Sequence, residues 1–162
     1  MVRKVRTIVC VAVLFTVQVT IVHRFSHRIL RPDLLYLAAA YLALEANYTG
    51  ALWGAFGLGL LRDLGSAGRI GAGPLLLVPA SAALVHIRGH LVRESIWTDL
   101  VLTFGYVLAC GLARALIGAA FTPGPQAGEL AAIALGQAAF TSALSPLAFL
   151  AFARLGLVAP RP

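Results

Sequence analysis

The sequence predicts an all-α integral membrane protein, a six-helix transmembrane bundle, and three observations carry that prediction. The 162 residues are 60% apolar and only 12% charged, with a mean hydropathy of +0.89. Soluble domains run about 45–50% apolar and about 25% charged, so these few charged side chains cannot clothe a soluble fold of this size. The basic residues stand at the edges of apolar runs rather than in one dense patch. A bilayer core of about 30 Å takes about 20 helical residues, so with short connections the length accommodates about six crossings and no appended soluble catalytic domain.

The first span is expected over residues 7–22, behind Arg3, Lys4 and Arg6. It has the outline of a secretory signal, but Gln18-Val19-Thr20-Ile21-Val22-His23-Arg24 offers no small-x-small cleavage site, so a retained helix is expected. A basic connection from His23 to Arg31 ends at Pro32-Asp33, where proline suits a first helical turn and aspartate its positive end. The second span is read over 33–47, ended by the turn signal Asn47-Tyr48-Thr49-Gly50, and the glycine-rich third over 50–64. Both are short for independent crossings, and are either one re-entrant pair or two helices shielded from lipid by neighbours. Two crossings are preferred, because Asp33 and Asp63 then share one side and Glu45 takes the other.

After Gly65-Ser66-Ala67-Gly68-Arg69 the fourth span is expected over 71–87, bent by Pro74 and Pro79, each of which removes a backbone donor. Arg88, His90, Arg93, Glu94 and Asp99 mark a polar connection before the fifth span, 96–121. Thr122-Pro123-Gly124-Pro125-Gln126 breaks it, and the sixth, 129–153, contains Pro146. The whole chain is thus one transmembrane domain, without an internal repeat.

The net charge of +7 is read as a matter of anionic lipid and topology rather than of nucleic acid, since no dense basic patch exists. In the six-crossing arrangement Arg3, Lys4, Arg6, Arg88, Arg93, Arg154 and Arg161 fall on one side, against Arg24, Arg28, Arg31, Arg62 and Arg69 on the other. That bias puts both termini in the cytoplasm.

No catalytic set stands out, and no cofactor or metal site is expected. His23 and His27 are spaced i, i+4 but sit in an arginine-dense connection, while His86 and His90 form no metal-binding pair. Cys10 and Cys110 lie in apolar runs, where a thiol acts as a small hydrophobe. Serine-nucleophile and phosphate-loop patterns are absent, and Gly57-Leu58-Gly59 is too little for a dinucleotide fingerprint.

The most informative stretch is Gly50 to Asp63. Gly50, Gly54 and Gly57 recur at i, i+4, i+7 and would line one helical groove where another backbone approaches closely; Ala51, Ala55 and Gly59 make a second row beside it. Either packing inside the bundle or docking of a partner's helix would use such a face. An ionisable group at the centre of a span costs about 2.5–3.5 kcal/mol, which singles out Arg114. It is expected to pair with Asp63, with Glu129 as second choice, or else to snorkel to the interface. Glu45 would join Arg88 or Arg93 or mark a cavity, and Gln18 and Gln137 would hydrogen-bond between helices.

Arg31-Pro32-Asp33-Leu34-Leu35-Tyr36-Leu37, then Gly50-x-x-x-Gly54-x-Phe56-Gly57-x-Gly59-Leu60-x-x-Asp63, then Leu64 through Gly71 resemble the MreD family of rod shape-determining membrane proteins. The likeness covers about residues 31–75. The chain departs from the family pattern at Arg69-Ile70-Gly71, where a Pro-Leu-Gly type sequence is common, and at Arg62, where the family has an apolar residue. The resemblance implies a non-enzymatic part of the machinery that builds the lateral cell wall. Its implied partners are an MreC-like protein, MreB, RodA and a class B penicillin-binding transpeptidase, within membrane lipid. It also implies a fold similar to the substrate-binding subunits of energy-coupling-factor transporters, which makes such a vitamin-type subunit the main rival. That rival needs several convergent polar groups, whereas Asp33, Glu45, Asn47, Asp63 and Arg114 are split between two membrane levels.

Overall fold

The structure, a computed structural model, describes residues 33–65, 71–90, 96–121 and 127–155, with Val13, Thr16 and Thr20. Apart from those three residues the first expected span, with Pro32 and the basic connection before it, lies outside the described residues. Among the described residues the chain is all-helical, with six helices and no strand. They are α1 (Leu34–Glu45), α2 (Tyr48–Leu64), α3 (Ala72–Arg88), α4 (Ile96–Phe121), α5 (Ala127–Ala143) and α6 (Ser145–Leu155).

The 12-residue helix α1 is the axis of the fold. It is apolar all round, the pattern of a fully enclosed helix, and Leu37, Ala39, Ala40, Ala43 and Leu44 have no accessible surface. At about 1.5 Å per residue it is about 18 Å long, so it is shielded by its neighbours rather than long enough to cross a bilayer core. Its alanines let α2, α3 and α4 come close, while Tyr41 packs its ring against Phe149 and Phe152 of α6, with centroids 5.3 and 5.4 Å away. The last carbonyls of a helix lack intrahelical donors. Arg88 supplies them from the end of α3, donating Nη1 to Ala43 O at 2.6 Å and Nη2 to Ala46 O at 2.7 Å. Arg88 thus reaches the main chain on either side of half-buried Glu45.

Several hydroxyls inside the fold are satisfied locally or across one interface. Thr103 Oγ1 donates to Asp99 O at 2.7 Å and Ser142 Oγ to Ala139 O at 3.0 Å, the back-bonding open to such residues within a helix. Ser81 of α3 and Tyr106 of α4 share a hydrogen bond of 3.0 Å.

The 22-residue stretch Trp97–Gly118 of α4 is long and apolar enough to span a membrane, and only 22% of its most apolar part is buried. That exposure is the reverse of a soluble protein's core helix. The run expected as a single sixth span, 129–153, is instead two helices meeting at 49° around Leu144. Pro146 explains the break, since it has no N–H to give and its ring collides with the carbonyl four residues earlier. Pro79, by contrast, lies inside continuous α3, and Pro74 falls in that helix's first turn, where a missing donor costs nothing.

Candidate functional site

Three helix ends converge on a buried polar centre. Asp33 is the N-cap of α1, Arg62 and Asp63 lie in the last turn of α2, and Gly71 to Gly73 open α3. Adjacent helical residues point about 100° apart (3.6 per turn), so Arg62 and Asp63 serve different neighbours.

Asp63, 2% exposed, faces α3. Its carboxylate accepts the Gly71 N–H at 2.7 Å and the Gly73 N–H at 2.9 and 3.0 Å. It therefore caps α3 from the neighbouring helix, satisfying donors that the glycine N-cap has no side chain to meet and favouring the positive helix end. Gly71 has φ +105°, a left-handed conformation that suits only glycine. One turn earlier the backbones touch: a Cβ on Gly59 would sit 2.5 Å from Pro74 N and 2.7 Å from Gly73 C, and one on Gly73 would strike Gly59 O. Gly59, Asp63, Gly71 and Gly73 form one clamp that sets α2 against α3.

Arg62 faces α1. Its Nε donates to Asp33 Oδ2 at 2.9 Å, with the two side chains 12% and 6% exposed. Asp33 Oδ1 accepts the Tyr36 N–H at 3.3 Å, and the Asp33 N–H donates to Thr141 Oγ1 of α5 at 3.3 Å, so one residue ties three helices together. The guanidinium carbon of Arg62 lies 4.3 Å from the centroid of the Tyr36 ring, within cation–π range. Two buried donors of this centre, Arg62 Nη1 and Tyr36 Oη, have no acceptor among the described residues.

These contacts correct the expected Arg114–Asp63 pair: Asp63 is turned to the α3 N-terminus, and the ion pair here joins Arg62 to Asp33. Arg114 stands within electrostatic reach of Arg62, Tyr36, Asp33 and Asp63 but forms no ion pair with them. Glu129 lies outside the residues whose side chains are described. Arg62, Tyr36, Gly73 and Thr141 were missed by sequence reasoning. The signal for Arg62 was present, a charge standing where the resembled family has an apolar residue.

The expected glycine groove is also corrected. Gly50 is exposed, a Cβ on Gly57 would meet nothing within 4 Å, and one on Gly54 would meet the Leu42 side chain, with Cδ1 nearest at 2.5 Å. The row that packs inward is the other one, Ala51, Ala55 and Gly59, all buried. Among the described residues, then, Gly50, Gly54 and Gly57 receive no neighbouring backbone, because they lie around the helix from that buried row. Beside them Trp53 is 71% exposed and Phe56 42%, stacked edge to face with centroids 6.1 Å apart.

The fold and centre define an all-helical protein with one helix suited to crossing a membrane and an interior polar junction built for helix packing. No family model, curated protein or solved structure matches the chain.

Proposed function

We propose that this chain is a non-enzymatic, multi-pass scaffold of the bacterial inner membrane, with cytoplasmic termini, that supports lateral peptidoglycan synthesis and rod shape by holding an MreC-like partner. The observation that carries the reading is the division of α2. Its inner face closes the fold through Gly59 and Asp63, while its outer face leaves Trp53, Phe56 and Gly57 uncovered. The motif that resembles the MreD family is thus spent on a helix clamp rather than on reactive groups, as a packing protein requires. Large apolar side chains exposed on every other helix but α1, among them Leu75, Val101, Leu116, Leu135 and Leu147, suit lipid on several sides and hence several crossings.

Tagged protein, gently solubilised from its native membrane and analysed by mass spectrometry, tests this. Recovery of an MreC-like protein, with RodA, MreB or a class B penicillin-binding transpeptidase, is expected. A second reading, the substrate-binding subunit of a vitamin-type transporter, is favoured by the two unpartnered donors inside the bundle, Arg62 Nη1 and Tyr36 Oη. Recovery of a coupling subunit with ATPases in place of wall-synthesis proteins would overturn the scaffold in its favour.

A further inference from the structure

Two donors of the polar centre have no partner among the described residues. Both Asp33 oxygens are engaged, by the Tyr36 N–H and the Arg62 Nε, and both Asp63 oxygens by the N–H groups of Gly71 and Gly73. Arg62 Nη1 and Tyr36 Oη remain buried without an acceptor, side by side, since the guanidinium lies over the phenol ring. Buried donors are rarely left in that state, and each such case asks for a missing partner. Arg114, a second guanidinium within electrostatic reach of both and of both carboxylates, is only partly buried and gives the centre a cationic edge. The group that would complete this arrangement is a multi-oxygen acceptor carrying negative charge.

We propose that the centre binds one phosphoryl anion on Arg62 Nη1, with Tyr36 Oη donating to it and Arg114 adding positive charge from within electrostatic reach. Guanidinium groups match phosphate in charge and geometry, and a tetrahedral anion offers enough oxygens for both donors. The converging ends of α1, α2 and α3 give the anion a natural source in a phospholipid phosphodiester; this part rests on the membrane placement proposed above. Free phosphate has the same chemistry, and the experiment separates the two.

The full chain is placed in phosphate-free maltoside micelles alone, in the same micelles with added phosphatidylglycerol, and in the same micelles with added inorganic phosphate. Thermal melting and native mass spectrometry are read for wild type, Tyr36→Phe and Arg114→Gln. A ligand that binds only the folded chain raises its melting temperature, so a lipid site gives a rise and one retained phosphatidylglycerol in the second arm alone. A free-phosphate site gives the rise in the third. Tyr36→Phe removes an otherwise idle hydroxyl and should fold as well as wild type, yet lose the selective rise, and Arg114→Gln should lose it too. Melting that is equal in all three arms overturns the proposal, leaving water as the acceptor, and so does a selective rise that survives in both variants. A chain that needs neither lipid nor detergent would instead sink the membrane reading, and the phosphate arm would then be run in buffer.

Discussion

The two faces of α2 both carry small residues and do opposite things. The inner face, Ala51, Ala55, Leu58, Gly59 and Asp63, is buried, and its last turn is pressed onto the backbone of α3. The outer face, Gly50, Trp53, Phe56, Gly57 and Leu64, leaves three large apolar side chains exposed. Small residues are therefore no sign of packing by themselves. What separates the faces is whether a fixed group lies opposite, and for Gly59 that group is main chain.

The sharpest way to break the comparison is a methyl group on the inner face. Gly59→Ala would drive Cβ to 2.5 Å from Pro74 N, and backbone, unlike a side chain, has no rotamer to change. Overpacking of this kind costs about 1–3 kcal/mol and more where nothing can yield. We expect the variant to fail to accumulate, or to melt far below wild type, and Gly73→Ala to behave alike. Normal protein level and melting in both would remove the clamp from the account.

Next in size is the junction's ion pair. Asp33→Ala leaves the Arg62 guanidinium buried without its carboxylate, a loss of about 3–5 kcal/mol where a buried pair is broken from one side. Adding Arg62→Leu should recover much of it, because the stranded charge goes too. Additive losses in denaturant or thermal unfolding would mean that the two residues act separately. Asp63→Ala, which strips the acceptors from Gly71 and Gly73, should cost less, about 1–3 kcal/mol, and Asp63→Asn less again because one oxygen acceptor survives. Equal effects for alanine and asparagine would show that capping is not what Asp63 contributes.

Much of the fold could be read from composition and punctuation. Asn47, the glycines from 65 and the prolines after 121 mark where helices stop or pause, since such residues favour turns whatever the tertiary context. The 49° break at Leu144 was hidden because the apolar run continues across it, and a Pro146 that bends a helix looks in sequence like one that only interrupts it. The centre was half legible. Asp33, Asp63 and Gly71 stand out as charges and a glycine at helix ends, and each has the capping or turn role that such positions offer. The pairing was not legible, because Arg62 and Arg114 are both plausible partners for either aspartate until the rotation of α2 is known. The same rotation decided which small-residue row packs inward.

The smallest expected effect on stability carries the most information about function. Gly57 lies one turn from Trp53 on the outer face, and a Cβ there meets nothing within 4 Å. Gly57→Ala should leave the fold unchanged or gain up to about 1 kcal/mol from helix propensity. Gly57→Leu should also fold, because its bulk points away from the chain's own helices. If a partner helix docks against this face, the added side chain fills the gap beside Trp53, and capture of an MreC-like protein should fall while protein level stays normal. Loss of level in Gly57→Leu would mean that the outer face is already covered by the chain itself. Unchanged level together with unchanged capture would assign the face to lipid, and the partner would have to be sought on α4, whose Trp97, Val101, Leu112 and Leu116 form the other uncovered stripe.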